Sequence, residues 1–138
     1  MSIKNGESKM SKSEPEGCLF LTDETEEMEK KIMKAKTDGI KGINYDLDNR
    51  KCLANLIHIL ASVRNTDGRA LAKELSDLDH LQFKMKLVKE LTEYFVNYKI
   101  RYERIQETEV EEVLDVGTRA ASKIASSKLQ EFISVFNK

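Results

Sequence analysis

The segment 80–105 constrains the fold more than any other part of the chain. It contains neither glycine nor proline, and its apolar side chains recur at helical spacing along the whole segment. The stripe consists of Val88, Leu91, Phe95, Tyr98, Tyr102 and Ile105. A stripe of this period predicts a long helix that can act as the central member of a bundle. We interpret its aromatic residues as core rather than as stacking platforms for nucleic-acid bases.

Shorter segments with the same periodicity flank this helix. We predict helices over residues 23–37, 50–64, 69–78, 80–105 and 118–136, and a short one that opens at Thr108. Gly117 marks either a break or a close helix–helix contact. Two of the starts carry capping patterns, Asp23 with Glu26 and Thr108 with Glu111. The final helix is expected to pack one side inward, formed by Ala121, Ile124, Ala125, Leu129, Phe132 and Phe136. The predicted fold class is therefore all-α, a helical bundle with short connections.

Composition agrees with a single helical domain and excludes several classes of protein. Charged residues make up 34% and hydrophobic residues 40% of the 138 residues, with one proline, which is typical of soluble helices. The net charge of −1 provides no general basic surface, so any RNA binding must depend on local patches. No apolar run reaches the roughly 18 residues that a membrane helix needs, and no signal peptide is visible.

The cysteines and histidines do not predict a metal site. Cys18 and Cys52 are far apart and lack the spacing of metal ligands, so we expect reduced thiols and a cytoplasmic protein. His58 and His80 are interpreted as helix-surface or interface residues. We therefore predict no metal ligand in the chain.

Residues 1–18 carry the pattern that points most directly to a reaction. Gly6, Pro15 and Gly17 predict a flexible loop, and residues 9–13 read Lys-Met-Ser-Lys-Ser. Two lysines three residues apart suit a mobile loop that closes over polyphosphate, because each ammonium group can offset negative charge on a leaving group. Composition alone is more typical of a disordered terminal tail.

Segments further along the chain decide between these interpretations. They read Leu-Phe-Leu-Thr-Asp at 19–23, Glu-Lys-Lys-Ile-Met-Lys-Ala-Lys-Thr-Asp at 29–38, Asn-Leu-Ile at 55–57 and Val-Leu-Asp-Val-Gly-Thr-Arg-Ala-Ala-Ser-Lys-Ile-Ala at 113–125. Together with Lys-Met-Ser-Lys-Ser, they resemble the tryptophanyl-tRNA synthetases, a family of class I aminoacyl-tRNA synthetases. The tyrosyl enzymes share the loop, but Leu-Thr-Asp and the Thr37–Asp38 pair favour the tryptophan family. A chance match of five residues does not explain so many further similarities.

The chain departs from the family pattern in three places. Glu14 stands where the family usually has aspartate. Residues 80–84 keep the phenylalanine and lysine of a glycine-rich turn but lose its glycines. The nucleotide-binding fold that precedes the loop in this family is absent. We therefore expect the C-terminal portion of such an enzyme, with a flexible catalytic loop at 1–18 and a helical anticodon-binding domain at 19–138.

The resemblance also implies a reaction and the residues that serve it. The parent enzyme would activate tryptophan with ATP and Mg²⁺ and transfer it to tRNA(Trp). Lys9 and Lys12 would be its catalytic residues. The ATP-binding residues would be Lys9, Met10, Ser11, Lys12 and Ser13. The helical domain would bind tRNA(Trp), with basic surface candidates at Lys34, Lys36, Lys41, Arg50 and Arg64.

For the 138-residue chain itself, the resemblance implies less. We expect no activity and no bound ATP, because the amino-acid pocket is missing. We expect a monomer, since the main homodimer contact of the parent lies in the missing part. The alternative hypothesis is a stand-alone helical module that binds RNA or protein, and neither hypothesis involves a membrane.

Overall fold

The computed structural model describes residues 1–136 of the chain and the side chains of residues 1–135. One turn of 3₁₀ helix, Pro15–Gly17, is followed by α1 (Thr25–Lys34), α2 (Lys51–Val63), α3 (Gly68–Glu74), α4 (His80–Arg104) and α5 (Glu107–Phe136). No β-strand occurs within residues 1–136. The predicted all-α class is confirmed. None of the described helices combines the length and the hydrophobicity needed to cross a bilayer.

Contacts divide the chain into two units, Met1–Asn97 and Tyr98–Lys138. The hydrophobic core lies in the first unit, and its largest fully buried side chains are Ile3, Met28, Ile32, Leu53, Leu56, Ile57, Leu60, Leu71, Phe83 and Leu87. The second helix, α2, is buried on most sides, from Leu53 to Ile57 and again at Leu60 and Ala61. A helix that is apolar nearly all round belongs at the centre of a core. The central position falls to α2 rather than to α4.

The apolar stripe of α4 is buried only in its first half. Leu91 and Phe95 are buried as predicted, and Val88 is half-buried. Tyr102 and Ile105, by contrast, are 64% and 54% exposed. The prediction that the whole stripe is core is therefore wrong beyond the first unit. The period of a stripe specifies its face, whereas burial needs a partner to cover that face.

The predicted capping role of Asp23 in α1 is also wrong. The helix begins at Thr25 with Glu24 as the N-cap residue. Asp23 instead accepts hydrogen bonds from the Phe20 backbone N–H at 2.9 Å and from Lys31 Nζ at 2.8 Å. Lys31 Nζ also lies 5.0 Å from the centre of the Phe20 ring. The carboxylate therefore links the segment before α1 to Lys31 within the helix. Its hydrogen bond from the lysine ammonium is charge-assisted, which makes it stronger than a bond to a neutral donor.

The end of α1 is determined by a lysine from α4. Lys84 is buried, and its Nζ donates to the carbonyl oxygens of Met33 at 3.0 Å and Ala35 at 2.7 Å. These are carbonyls that the end of a helix leaves without intrahelical partners. Burial lowers the pKa of Lys84. The helix accordingly ends at Lys34, three residues before the predicted end at Thr37.

The last helix, α5, is continuous where the sequence predicts a break. It runs through Gly117, and a Cβ added there would meet nothing within 4 Å, so this glycine marks no close helix contact. A single glycine costs about 1 kcal/mol in a helix, too little to break one of this length. The capping contact forms two residues earlier than predicted, since Glu109 accepts from the Gln106 N–H at 2.8 Å.

The expected inward packing of α5 is not found among its described side chains. The predicted core residues Ile124, Leu129 and Phe132 are 68%, 58% and 62% exposed. The side chain of Phe136 lies outside the described residues.

Candidate functional site

The Lys-Met-Ser-Lys-Ser segment lies at the surface of the first unit. Lys9, Ser11, Lys12 and Ser13 are exposed, whereas Met10 is partly buried and packs against the hydrophobic core. The hydroxyl groups of Ser11 and Ser13 are hydrogen-bonded to each other at 2.7 Å. Both ammonium groups are therefore open to an incoming anion, while the methionine between them holds the segment to the protein.

Two backbone hydrogen bonds close the base of this loop. Ile3 is 2% exposed, and its N–H donates to the carbonyl of Gly17 at 3.0 Å. The N–H of Ser2 donates to the carbonyl of Ser8 at 2.7 Å. A Cβ on Gly17 would meet Ser2 Oγ, so a larger residue there would require the Ser2 hydroxyl to move. The entry and exit of the loop are thus paired. The mobility predicted for residues 1–18 remains a prediction for the exposed segment between these points.

A tight turn immediately precedes Lys9. Asn5 Oδ1 accepts from the backbone N–H groups of Glu7 and Ser8, both at 3.0 Å, and Asn5 Nδ2 donates to Ser8 Oγ at 2.9 Å. Gly6 has a φ of +68°, and a Cβ there would lie 2.7 Å from the Cα of Cys52. Only glycine combines that conformation with that approach. The turn therefore fixes the direction in which the chain leaves residues 1–5 and enters the loop at Lys9.

The exit side of the loop is held by Cys18. Its Sγ donates to the carbonyl of Ser11 at 3.1 Å, and the N–H of Glu14 donates to the same carbonyl at 2.9 Å. Pro15 occupies the first turn of the 3₁₀ helix, where its missing N–H costs nothing. Cys18 and Cys52 are both free thiols with hydrogen-bonding roles, in agreement with their predicted reduced state.

A cleft of about 380 Å³ lies beside the loop base and is lined by several lysines. Lys4, Lys30 and Lys34 lie on its wall and are exposed. Lys31 also lines it, but this ammonium is paired with Asp23 and with Glu27 at 3.1 Å. Lys4 and Lys30 are not among the basic residues that the sequence suggests for RNA contact. The clue available there was the density of lysines between 30 and 36, but their grouping with Lys4 depends on tertiary structure.

Two of the five basic candidates for RNA contact are structural instead. Arg50 is 5% exposed, and its Nη2 donates to Asp38 at 2.7 Å and to the carbonyl of Ile40 at 2.7 Å. Its Nη1 donates to the carbonyl of Gly42 at 3.1 Å, and His80 Nε2 lies 3.2 Å from Nη2. The hydrogen bond from Arg50 lowers the pKa of Asp38. Arg50 thus secures the connection between α1 and α2.

Arg64 is committed in a similar way at the end of α2. Its Nε and Nη2 both contact Glu90 at 2.6 Å, and its Nη1 contacts Glu74 at 2.8 Å. These bonds lower the pKa of Glu90. Lys34, Lys36 and Lys41 are the candidates that remain exposed. Within residues 1–136, no group of three or more histidine, cysteine or acidic side chains could hold a metal ion.

Comparison with known proteins places this loop in a family. The family model "tRNA synthetases class I (W and Y)" matches residues 1–128. The chain belongs to this family, the class I tRNA synthetases for tryptophan (W) and tyrosine (Y).

Its similar relatives are tryptophan--tRNA ligases. The chain is 34% identical to the mitochondrial tryptophan--tRNA ligase of Dictyostelium discoideum over 133 residues, which is 94% of this chain and 35% of that protein. It is 30% identical to the tryptophan--tRNA ligase of Bacillus subtilis, covering 95% of this chain and 41% of that one. The crystal structure of the tryptophanyl-tRNA synthetase from Mycoplasma pneumoniae superposes with a TM-score of 0.83 at 25% identity, covering 94% of this chain and 42% of that chain. The resemblance to the tryptophan enzymes is confirmed, and the chain spans well under half the length of these relatives.

Proposed function

We propose that this chain supplies the lysine loop and the helical tRNA-binding part of a tryptophan–tRNA ligase. The observation that carries the proposal is the Lys-Met-Ser-Lys-Ser segment, exposed at its lysines and closed at its base, in a chain whose family match covers residues 1–128. The functional division would fall at residue 18, with the catalytic loop before it and the helical anticodon-binding domain over 19–138.

The proposed reaction has two steps. The carboxylate of tryptophan attacks the α-phosphorus of ATP, and the bond to the β-phosphate oxygen breaks, so that tryptophanyl-adenylate forms and pyrophosphate leaves. A hydroxyl of the terminal tRNA ribose then attacks the carbonyl carbon of the adenylate, and AMP leaves. The protein contributes positioning and charge stabilisation rather than a covalent intermediate.

Lys9 and Lys12 would act in the first step. Negative charge accumulates on the pyrophosphate as it leaves, and two exposed ammonium groups three residues apart can offset it. Ser11 and Ser13 would donate to phosphate oxygens once their mutual hydrogen bond is exchanged, and Met10 would keep the loop attached to the core. Mg²⁺ is proposed only as the counter-ion carried by the phosphates of ATP.

The loop assignment is tested in a ligase chain that contains these residues. A chimera can join the part of the Bacillus subtilis relative that precedes the matched region to this chain. Lys12→Ala should slow single-turnover adenylate formation by about 10²–10³-fold, the effect of removing one preorganised donor, while tryptophan affinity changes little. Lys36→Ala on the helical part is the matched control. Unchanged adenylate formation in Lys12→Ala would refute the role.

The helical part would bind the anticodon region of tRNA(Trp). RNA-binding proteins read unstacked bases in loops, and Lys34, Lys36 and Lys41 are the exposed candidates for backbone contacts. The chain should bind a tryptophan tRNA anticodon stem–loop in a salt-sensitive manner, and changing the anticodon should weaken that binding. Loss of binding in the triple alanine variant with a retained fold would confirm these contacts. Equal binding of any stem–loop would favour a general RNA- or protein-binding module instead.

The remaining proposals concern the state of the protein. The ligase would be a homodimer, and the 138-residue chain a monomer without activity of its own. The compartment would be the cytoplasm, although tryptophan–tRNA ligase relatives include mitochondrial proteins such as that of Dictyostelium discoideum.

A further inference from the structure

We infer that Asn55 is a positioning residue that ties the base of the lysine loop to the helical core. This inference rests on the proposed function of the loop, because it assigns a role in presenting Lys9 and Lys12. Asn55 lies in the middle of α2 and is 8% exposed. Its Nδ2 donates to the carbonyl of Met1 at 3.1 Å and to that of Ser2 at 3.4 Å. A buried polar side chain in a central helix is costly unless it serves such partners.

A second side chain of α2 supports the same backbone segment. Cys52, one helical turn before Asn55, donates its Sγ–H to the carbonyl of Asn5 at 3.0 Å. Residues three apart lie on the same face of a helix. One face of α2 therefore donates hydrogen bonds to three carbonyls of residues 1–5. These bonds support a segment that lies outside any helix or strand.

The loop is connected to these contacts through backbone hydrogen bonds. Ser2, whose carbonyl Asn55 holds, donates its own N–H to Ser8, the residue before Lys9. Ile3 donates to Gly17, on the exit side. Displacing the segment from α2 would therefore disturb both ends of the loop together. The asparagine amide is suited to the task because leucine would remove the donor to the Met1 carbonyl and leave the Ser2 carbonyl with only the Gly6 N–H, at 2.8 Å. Aspartate would direct oxygen lone pairs at both carbonyls.

Amide hydrogen exchange of the 138-residue chain tests this inference directly. In Asn55→Leu, exchange at Ser2, Ile3 and Ser8 should accelerate at least tenfold, while amides in α3 and α4 change less than twofold. Asn55→Asp should accelerate exchange further, since its carboxylate repels the carbonyls. Ile57→Val is the matched control, because Ile57 is fully buried on the same helix and its side chain donates no hydrogen bond. In Ile57→Val, hydrogen exchange at the loop amides should accelerate no more than exchange at the helix amides.

A probe of the loop's chemistry separates the inference from the proposed function. Inorganic pyrophosphate, titrated into the Bacillus subtilis chimera while the amide signals of residues 9–13 are followed, should bind the chimera with Asn55 and bind its Asn55→Leu variant at least threefold more weakly. Wild-type exchange rates in Asn55→Leu would overturn the positioning role. So would equal acceleration in Ile57→Val, because loop order would then follow overall stability alone. If Asn55→Leu loosens the loop but the chimera with Asn55 does not bind pyrophosphate, the positioning role stands and the phosphate function fails.

Discussion

The two units of this chain carry similar amphipathic helices but bury them very differently. In Met1–Asn97, the apolar faces of the helices are covered, and Ile57 and Phe83 are both 0% exposed. In Tyr98–Lys138, Val113 and Ile124 are 72% and 68% exposed although they recur at helical spacing. The difference shows that periodicity determines which face of a helix is apolar, while burial depends on what covers it. The stability of the chain should therefore come from the first unit.

The largest expected effect is a difference between the two units in how much a core-type substitution lowers the free energy of unfolding. Phe83→Ala should lower the free energy of unfolding by about 3–5 kcal/mol, because it leaves a cavity in a close-packed core. Ile124→Ala, at an exposed site of α5, should change it by less than about 0.5 kcal/mol. Urea unfolding of both variants, followed by circular dichroism, gives the values. Equal losses would mean that α5 is covered in solution.

The same contrast explains which features could be predicted from sequence. Helices α2 and α4 match the predicted 50–64 and 80–105 to within one residue at each end, because a long periodic stripe defines them. The break at Gly117 was wrong because one weak helix former does not outweigh strong ones on both sides. Burial of the Arg50 side chain could not be read from sequence, since exposed arginines are the common case.

The site divides in the same way. Lys9 to Ser13 are visible as a motif because their chemistry is local. The support beneath them is not local, since Asn55 lies 54 residues from Met1 in sequence and contacts it only in the folded chain. No spacing rule in a single sequence connects those two positions.

A smaller effect, a loss of thermal stability on acidification, should arise from ion pairs in the first unit. Hydrogen bonds from Arg50 and Arg64 lower the folded-state pKa values of Asp38 and Glu90 from their ordinary values of 3.8 and 4.5. The stabilisation is complete above the ordinary values and is lost as the pH falls through the lowered ones. Thermal unfolding from pH 6 to pH 2 should therefore show a falling Tm below about pH 4.5. Glu90→Gln should flatten this slope, and an unchanged slope would exclude the Arg64–Glu90 pair as its source.

The smallest expected effect is a gain in the stability of α5, in the second unit. Gly117→Ala should stabilise α5 by about 0.8–1.0 kcal/mol, because alanine is the better helix former and its Cβ meets nothing within 4 Å. Hydrogen exchange of the α5 amides should slow accordingly, while exchange in α2 stays constant. Faster exchange in α5 would show that Gly117 has a close contact in solution.

The central claim is that these residues serve tryptophan activation but do not perform it alone. Tryptophan-dependent exchange of pyrophosphate into ATP tests it most directly, with the 138-residue chain and the Bacillus subtilis chimera measured side by side. The account predicts exchange by the chimera, and none above background by the chain alone. Tryptophan-dependent exchange by the isolated chain would contradict it.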